Sequence, residues 1–224
     1  MRSFKEGNTN SSVTTYQVTG LTNGTAYQFR VRAITIAGSG SASIGLSATP
    51  FAAPSAVQNV RVVGGNGSVQ LLWDRPANTG GAALSSYLVE RSLNGILWTN
   101  PVNVTDSLTA ITDISYTYNG LANGQIYYFR VTAIAAGTQG GAVVGSATPA
   151  ALASAPLLMS TSATDSAVTL VWAAPLNSGG APITGYAIEQ SVTSGVWTTA
   201  VGNTNSSVTT YQVTGLTNGT AYQF

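Results

Sequence analysis

This chain repeats itself, and the repeat limits what it can fold into more than any other feature. Residues Gly7 to Phe29 read GNTNSSVTTYQVTGLTNGTAYQF, and the same 23 residues return unchanged from Gly202 to Phe224. A diverged copy lies between them. The pattern Leu-x-x-Gly-x-x-Tyr-x-Phe begins at Leu21, Leu121 and Leu216, at spacings of 100 and 95 residues. A second set of marks recurs at 99 residues: Trp73 and Trp172, Pro76 and Pro175, Gly80-Gly81 and Gly179-Gly180, Tyr87 and Tyr186, Trp98 and Trp197. The unit is therefore a small domain of just under 100 residues, and 224 residues span two to three of them.

Inside a unit the period is two, the period of strands. Val69, Leu71 and Trp73 alternate with Ser68, Gln70 and Leu72, and Val168, Leu170 and Trp172 repeat the pattern. Tyr127, Phe129, Val131 and Ala133 alternate with Tyr128, Arg130 and Thr132. Turn residues separate the runs at Gly64-Gly65-Asn66-Gly67, Asn78-Thr79-Gly80-Gly81, Asn94-Gly95 and Asn123-Gly124. No segment of ten or more residues carries a helical period with caps. About seven short strands per unit, each with one apolar face, predict a two-sheet antiparallel sandwich.

Composition removes whole classes of function. Eight Lys and Arg face seven Asp and Glu, a net charge of +1, and 7% of residues are charged, against about 25% in an ordinary soluble domain. No basic footprint for nucleic acid is available, so no nucleic-acid partner is expected. Cys is absent, which excludes disulfides, zinc-thiolate sites and a thiol nucleophile. His is absent too, and with it the commonest general base and metal ligand. No window approaches the roughly 18–20 apolar residues of a membrane-spanning helix, so membrane insertion is not expected. The start, Met1 to Glu6, has no apolar secretory core. The Thr/Ser-rich, Cys-free composition nevertheless looks extracellular.

The residues resemble the fibronectin type III family. The resemblance rests on Trp73 and Trp172 in the second strand, and on Pro then Gly-Gly leading to Tyr87 and Tyr186 in the third. It continues in Leu-x-x-Gly-x-x-Tyr-x-Phe before and into the sixth strand, and in the closing Ala48-Thr49-Pro50 and Ala147-Thr148-Pro149. It implies an all-β fold of tandem seven-stranded antiparallel Ig-like β-sandwiches. Trp73 and Trp172 should lie between the sheets. Tyr27, Tyr127 and Tyr222 should be tyrosine corners, with the hydroxyl bonded to nearby backbone. Gly24, Gly124 and Gly219 should allow the tight turn before them. The style, as in Gly-Gly-Ala-Pro-Ile-Thr-Gly-Tyr at 179–186, is similar to arrays in bacterial secreted and surface proteins.

The expected boundaries are a partial domain at 7–50, a complete one at 53–149 and a partial one at 155–224. Residues 7–50 read as the last three strands of a domain. Residues 155–224 read as five strands and part of a sixth. The bland explanation is a fragment of a longer array. A sharper one is head-to-tail self-association, in which residues 7–50 of one molecule supply strands to residues 155–224 of the next.

No catalytic, cofactor or metal site is expected. The acids Glu6, Asp74, Glu90, Asp106, Asp113, Asp165 and Glu189 form no carboxylate pair and no Asp-x-Asp calcium pattern. Without His there is no conventional triad, and the single Lys5 sits in an atypical leader. Asp74-Arg75 reads as a surface ion pair, and Arg130 with Glu90 as an exposed cross-strand pair worth well under about 1 kcal/mol. Trp98 and Trp197 either pack along the sandwich flank or stack on sugar rings. Leu72, Leu88 and Tyr128 would make an outward apolar patch if they met. The loop before the last strand, at 37–40 and 137–141, lacks the Arg-Gly-Asp tripeptide that some family members carry there. Six Asn-x-Ser/Thr sequons stand at Asn10, Asn23, Asn66, Asn103, Asn205 and Asn218. Three roles fit these readings. One is an extracellular or cell-surface spacer, another an adhesion module for a protein or carbohydrate ligand. The third is an accessory region of a secreted polysaccharide-degrading enzyme.

Overall fold

The computed structural model describes residues 7–107, 112–193 and 195–224; Lys5 and Glu6 lie outside them. Every regular element among the described residues is a β-strand. By internal contacts the chain divides into two units, Met1–Val62 with Leu71–Tyr116 and Tyr127–Ser146, and Val63–Gln70 with Thr117–Ile126 and Ala147–Phe224. The division does not follow the repeats, since it falls within strands of the middle copy.

The first unit opens on two short hairpin pairings. Strand β1 (Tyr27–Phe29) pairs with β4 (Leu46–Ala48), and β2 (Arg32–Thr35) pairs with β3 (Gly38–Ala42), all antiparallel. The Ser43 N–H donates to the Val31 carbonyl at 2.8 Å and joins the two pairings. Residues 7–26 form no strand, although three strands were expected between residues 7 and 50. The missing one has an alternating sequence, but no described strand pairs with it, and an unpaired strand leaves its backbone groups unsatisfied.

The middle copy supplies seven strands: β5 (Gln58–Gly65), β6 (Ser68–Asp74), β7 (Leu84–Ser92), β8 (Thr99–Thr105), β9 (Ile114–Asn119), β10 (Tyr127–Ala135) and β11 (Thr138–Ala147). They form a three-stranded sheet in the order β5-β6-β9 and a four-stranded sheet in the order β11-β10-β7-β8. In the four-stranded sheet β7 and β10 are the central strands, and their inward positions alternate as the sequence pattern requires. Tyr87 and Val89 on β7, and Tyr127, Phe129, Val131 and Ala133 on β10, are buried. Trp73 of β6 is fully buried, with its ring edge-on to Tyr87 at 5.4 Å. Each large apolar side chain taken from water here contributes about 1.5–3 kcal/mol. The four-stranded sheet ends its third strand on a built turn. The Ser92 hydroxyl accepts from the N–H groups of Asn94 and Gly95 and donates to the Asn94 side-chain oxygen. That oxygen accepts in turn from Ile96 and Leu97.

The second unit holds β12 (Leu157–Thr164), β13 (Ala167–Ala173), β14 (Ile188–Thr193), β15 (Val196–Val201) and β16 (Thr210–Thr214). Their pairings are β12-β13-β16 and β14-β15, with an isolated antiparallel bridge between Ser191 and Gln223. Leu170, Trp172, Ile188 and Val213 form the core, and Trp172 meets Tyr186 edge-on at 5.0 Å. The Trp-to-Tyr contact that orders the middle copy is thus rebuilt with the same geometry.

The tyrosine corners form at both ends of the chain. The Thr22 N–H donates to the Tyr27 hydroxyl at 3.0 Å, and the Thr217 N–H donates to the Tyr222 hydroxyl at 3.1 Å. Gly24, Gly124 and Gly219 take φ of 77°, 82° and 80°, the left-handed conformation that a glycine adopts without steric cost.

Candidate functional site

The charged side chains of the middle copy are the first place to look for chemistry, and they turn toward one another. Asp74 and Arg75 do not pair. They are successive residues at a strand end, so their side chains point to opposite faces. The Asp74 carboxylate accepts from the Asn59 amide at 2.7 Å and from the Asp113 N–H at 3.0 Å. These bonds, the Asn59 one foremost, hold its pKa below the usual aspartate value.

Arg75 instead reaches Asp106, with Nη2 at 2.6 Å and Nε at 3.2 Å from its two oxygens. The Asp106 carboxylate is 1% exposed and also accepts the Tyr87 hydroxyl at 3.2 Å. Burial, with the Asp106 carboxylate beside it, pushes the Tyr87 hydroxyl pKa up to about 12. The cluster closes one end of the core. It is a bidentate charge pair, and both Asp106 oxygens accept hydrogen bonds from Arg75 or Tyr87.

Arg130 and Glu90 sit opposite each other in the β7–β10 register, as the strand order implied. They differ from the expected exposed pair. Glu90 is buried, and both its oxygens accept from Arg130, at 2.5 Å from Nε and 3.0 Å from Nη2. The half-buried Trp98 ring lies over the Arg130 guanidinium, with its centroid 4.7 Å from Cζ. A bidentate pair roofed by an aromatic ring is shielded from water and worth more than an open one. The same contact commits one face of Trp98 to Arg130. Arg61 and Asp113 form the third ion pair, and that one is exposed.

Trp197 is placed differently. It is 48% exposed and lines an open cavity of about 560 Å³ with Val168, Tyr222 and Phe224. Its surroundings are neutral, with Thr161, Thr220 and Gln223 as the polar members. Glu189 and Arg30 are exposed.

The expected apolar patch does not assemble. Leu72 is on the three-stranded sheet, while Leu88 and Tyr128 are on the four-stranded one, where the Glu90–Arg130 pair lies between them. The connections before the last strands are shorter than the sequence suggested. Only Ile36-Ala37 and Ala136-Gly137 lie outside the paired strands, and two-residue turns of this kind project little side-chain surface. All six sequon asparagines are exposed. Among the described residues no three Asp or Glu side chains are grouped to hold a metal ion, and no helix is long and apolar enough to cross a membrane.

One constellation had not been foreseen. In two of the Asn-Gly corner turns, at Asn123 and Asn218, the Asn ties the turn to the hairpin of the first two strands. The Asn123 side-chain oxygen accepts from the Gly67 N–H at 2.8 Å, and its amide donates to Asn66 at 2.9 Å. Asn218 does the same with Ser166 at 2.9 Å and Asp165 at 2.7 Å. The recurrence of Asn before Gly at 23, 123 and 218 was the available signal.

These sheets, corners and buried tryptophans define a chain of immunoglobulin-like β-sandwich modules whose polar groups serve their own fold. The chain belongs to the fibronectin type III domain family, whose pattern matches residues 3–49, 55–144 and 154–224. It is 31% identical over 223 residues to Exoglucanase B of Cellulomonas fimi, covering 96% of this chain and 19% of that protein. It is 35% identical over 109 residues to Kelch domain-containing protein SSO1033 of Saccharolobus solfataricus, covering 48% of this chain and 15% of that protein. The chain thus spans less than a fifth of the length of these curated relatives. Among solved structures, the FN1–FN3 domains of chicken CNTN1 share the fold, with a TM-score of 0.50 and 18% identity, covering 90% of this chain and 69% of that one.

Proposed function

We propose that this chain is a run of non-catalytic modules that hold other parts of a secreted or cell-surface protein at a distance. The observation that carries this reading is how the polar groups are used. Arg75, Asp106, Glu90 and Arg130 are bonded within one sandwich, and the turns before the last strands, at 36–37 and 136–137, are two residues long. Fibronectin type III domains are generally non-catalytic, which agrees with that use.

The similarity to Exoglucanase B favours a second reading, in which the modules are the accessory region of a polysaccharide-degrading enzyme. Exposed Trp197 is the residue through which carbohydrate binding would act. A glycan array probed with the whole chain, with Trp197→Ala and Trp98→Ala beside it, separates the two. The spacer reading expects no signal from any of the three proteins. A signal that Trp197→Ala abolishes would replace spacing with carbohydrate binding.

A further inference from the structure

The linkers between repeats are short, Phe51-Ala52-Ala53-Pro54-Ser55 at the first junction and Ala150-Ala151-Leu152-Ala153-Ser154 at the second. In the structure their backbones are bonded at both ends, and three backbone bonds recur at the two junctions; the second adds one more, from the Ala150 N–H to the Gly65 carbonyl at 3.1 Å. At the start, the Gly24 N–H donates to the Pro50 carbonyl at 2.9 Å, and the Gly124 N–H donates to the Pro149 carbonyl at 2.9 Å. In the middle, the Ala52 N–H donates to Gly80 at 2.9 Å, and the Ala151 N–H to Gly179 at 2.8 Å. At the end, Ser55 and Asn78 exchange bonds, as do Ser154 and Asn177. The side chains of Asn78 and Asn177 then accept from the N–H groups of Gly80 and Gly179, each at 2.8 Å.

The Gly-Gly pair is the centre of this joint. Gly80 and Gly81 have φ of 77° and 90°, as do Gly179 and Gly180. A Cβ on Gly80 would lie 2.1 Å from the Ala52 carbonyl oxygen, and one on Gly179 would lie 2.0 Å from that of Ala151. A Cβ on Gly81 would lie 2.3 Å from the Gly24 nitrogen, and one on Gly180 would lie 2.4 Å from that of Gly124. So the Gly-Gly bend of one repeat rests backbone to backbone on the Asn-Gly corner turn of the repeat before it. No side chain could occupy that contact.

We infer that Gly80-Gly81 and Gly179-Gly180 are docking elements that set one fixed joint between successive repeats, with the Asn-Gly corner turn as the receiving surface. Neighbouring sandwiches are then held in one relation, repeated at each junction, rather than strung on free linkers. The third corner turn, Asn218-Gly219, has the same left-handed φ, and the space about Gly219 is open. It presents the same receiving surface, and the partner it fits is the Gly-Gly bend of another module of this kind. This goes beyond the spacer reading and does not depend on it, since an array of any role could use such a joint.

The absence of Cys makes the test direct. Spin labels are placed through introduced cysteines at exposed Gln28 and Asn103 for the first joint, and at exposed Gln70 and Thr199 for the second. Inter-label distances are then read by pulsed electron resonance. The wild-type chain should give one narrow distance for each pair. Gly81→Ala should broaden the first distribution about twofold or more, because its Cβ must part the docked backbones, and leave the second unchanged. Gly180→Ala should do the reverse. Gly120→Ala is the control, since Gly120 has φ of 70° and open space about it. It carries the same backbone strain without the contact and should leave both distributions narrow. Broad distances in the wild-type chain would overturn the inference without any variant, and so would narrow ones in Gly81→Ala. Either result would leave the spacer reading to the glycan array.

Discussion

Residues 7–29 and residues 202–224 carry the same side chains in the same order, and part of their structure is also the same. The Asn10 N–H bonds the Asn8 side chain at 2.9 Å, and the Asn205 N–H bonds the Asn203 side chain at 2.8 Å. The Val13 N–H bonds the Ser11 hydroxyl at 3.1 Å, and the Val208 N–H bonds the Ser206 hydroxyl at 3.2 Å. Asn10 and Asn205 share a left-handed φ, 48° and 50°, and the tyrosine corner forms in both segments. Between these local features the two segments part. Thr210–Thr214 is strand β16, hydrogen-bonded to β13 with Val213 opposite Val168. The identical residues 15–19 form no strand. Val213 is 6% exposed and Val18 is 37% exposed. Bonds within a few residues follow from sequence alone. A strand also needs an edge to pair with and a core to cover, and only the second segment has β13 and Trp172 beside it.

The largest way to break this contrast is to remove the core that makes it. Trp172→Ala should destabilise the second unit by about 3–5 kcal/mol in urea unfolding. Amide exchange at Val213, followed by NMR, should then rise toward the rate at Val18. Continued protection of Val213 would show that β16 forms without that core. Next comes the same substitution at the two equivalent sites. Val213→Ala should cost about 1.5–2.5 kcal/mol through lost burial, while Val18→Ala should stay within about 0.5 kcal/mol. Equal costs would mean that context does not separate the segments. Tyr27→Phe and Tyr222→Phe probe the local half. Each removes one hydroxyl bond to a backbone N–H and should cost about 0.5–1.5 kcal/mol, in the same direction at both ends.

The same division explains what could be read from the sequence. The period-two runs, the buried Trp73 and Trp172 and the corner tyrosines all depend on short-range patterns that a sandwich repeats, and they were legible. The expected strand between residues 7 and 26 failed because alternation signals a strand without supplying its partner. Asp74 and Arg75 looked like a pair because they are adjacent. The true partner of Arg75 is 31 residues away at Asp106, and only strand register brings them together. Arg130 and Glu90 were legible as cross-strand neighbours, but their burial was not. Nor was the placement, over the Arg130 guanidinium, of the ring of Trp98, which follows the Ser92-Asn94 turn. The junctions were the least legible part. Their bonds run from linker backbone to loop backbone, and a linker of Ala, Pro and Ser carries no pattern that names a backbone partner.

The smallest expected effect tests one asparagine in its two settings. Asn218 donates to the Asp165 carboxylate at 2.7 Å, and Ser166 donates to the same carboxylate at 3.2 Å. These two bonds, Asn218 first, hold the Asp165 pKa below the usual aspartate value of 3.8. A carboxyl whose folded pKa is depressed adds stability that is present above its unfolded pKa. That stability is lost as pH falls through the folded value. Asn218→Ala should therefore lower stability at pH 7, and the gap from wild type should narrow as the pH is taken below 4. Part of the gap should persist in acid, because the Ser166 N–H also loses the Asn218 oxygen, and that bond does not titrate. Asn23 is the same residue in the same turn, but the described residues give it no such hairpin to hold. Asn23→Ala should show no pH-dependent gap in urea unfolding followed from pH 7 to pH 2. A gap of equal size and slope at both sites would mean that the turn itself, and not its contact with Asp165, sets the effect.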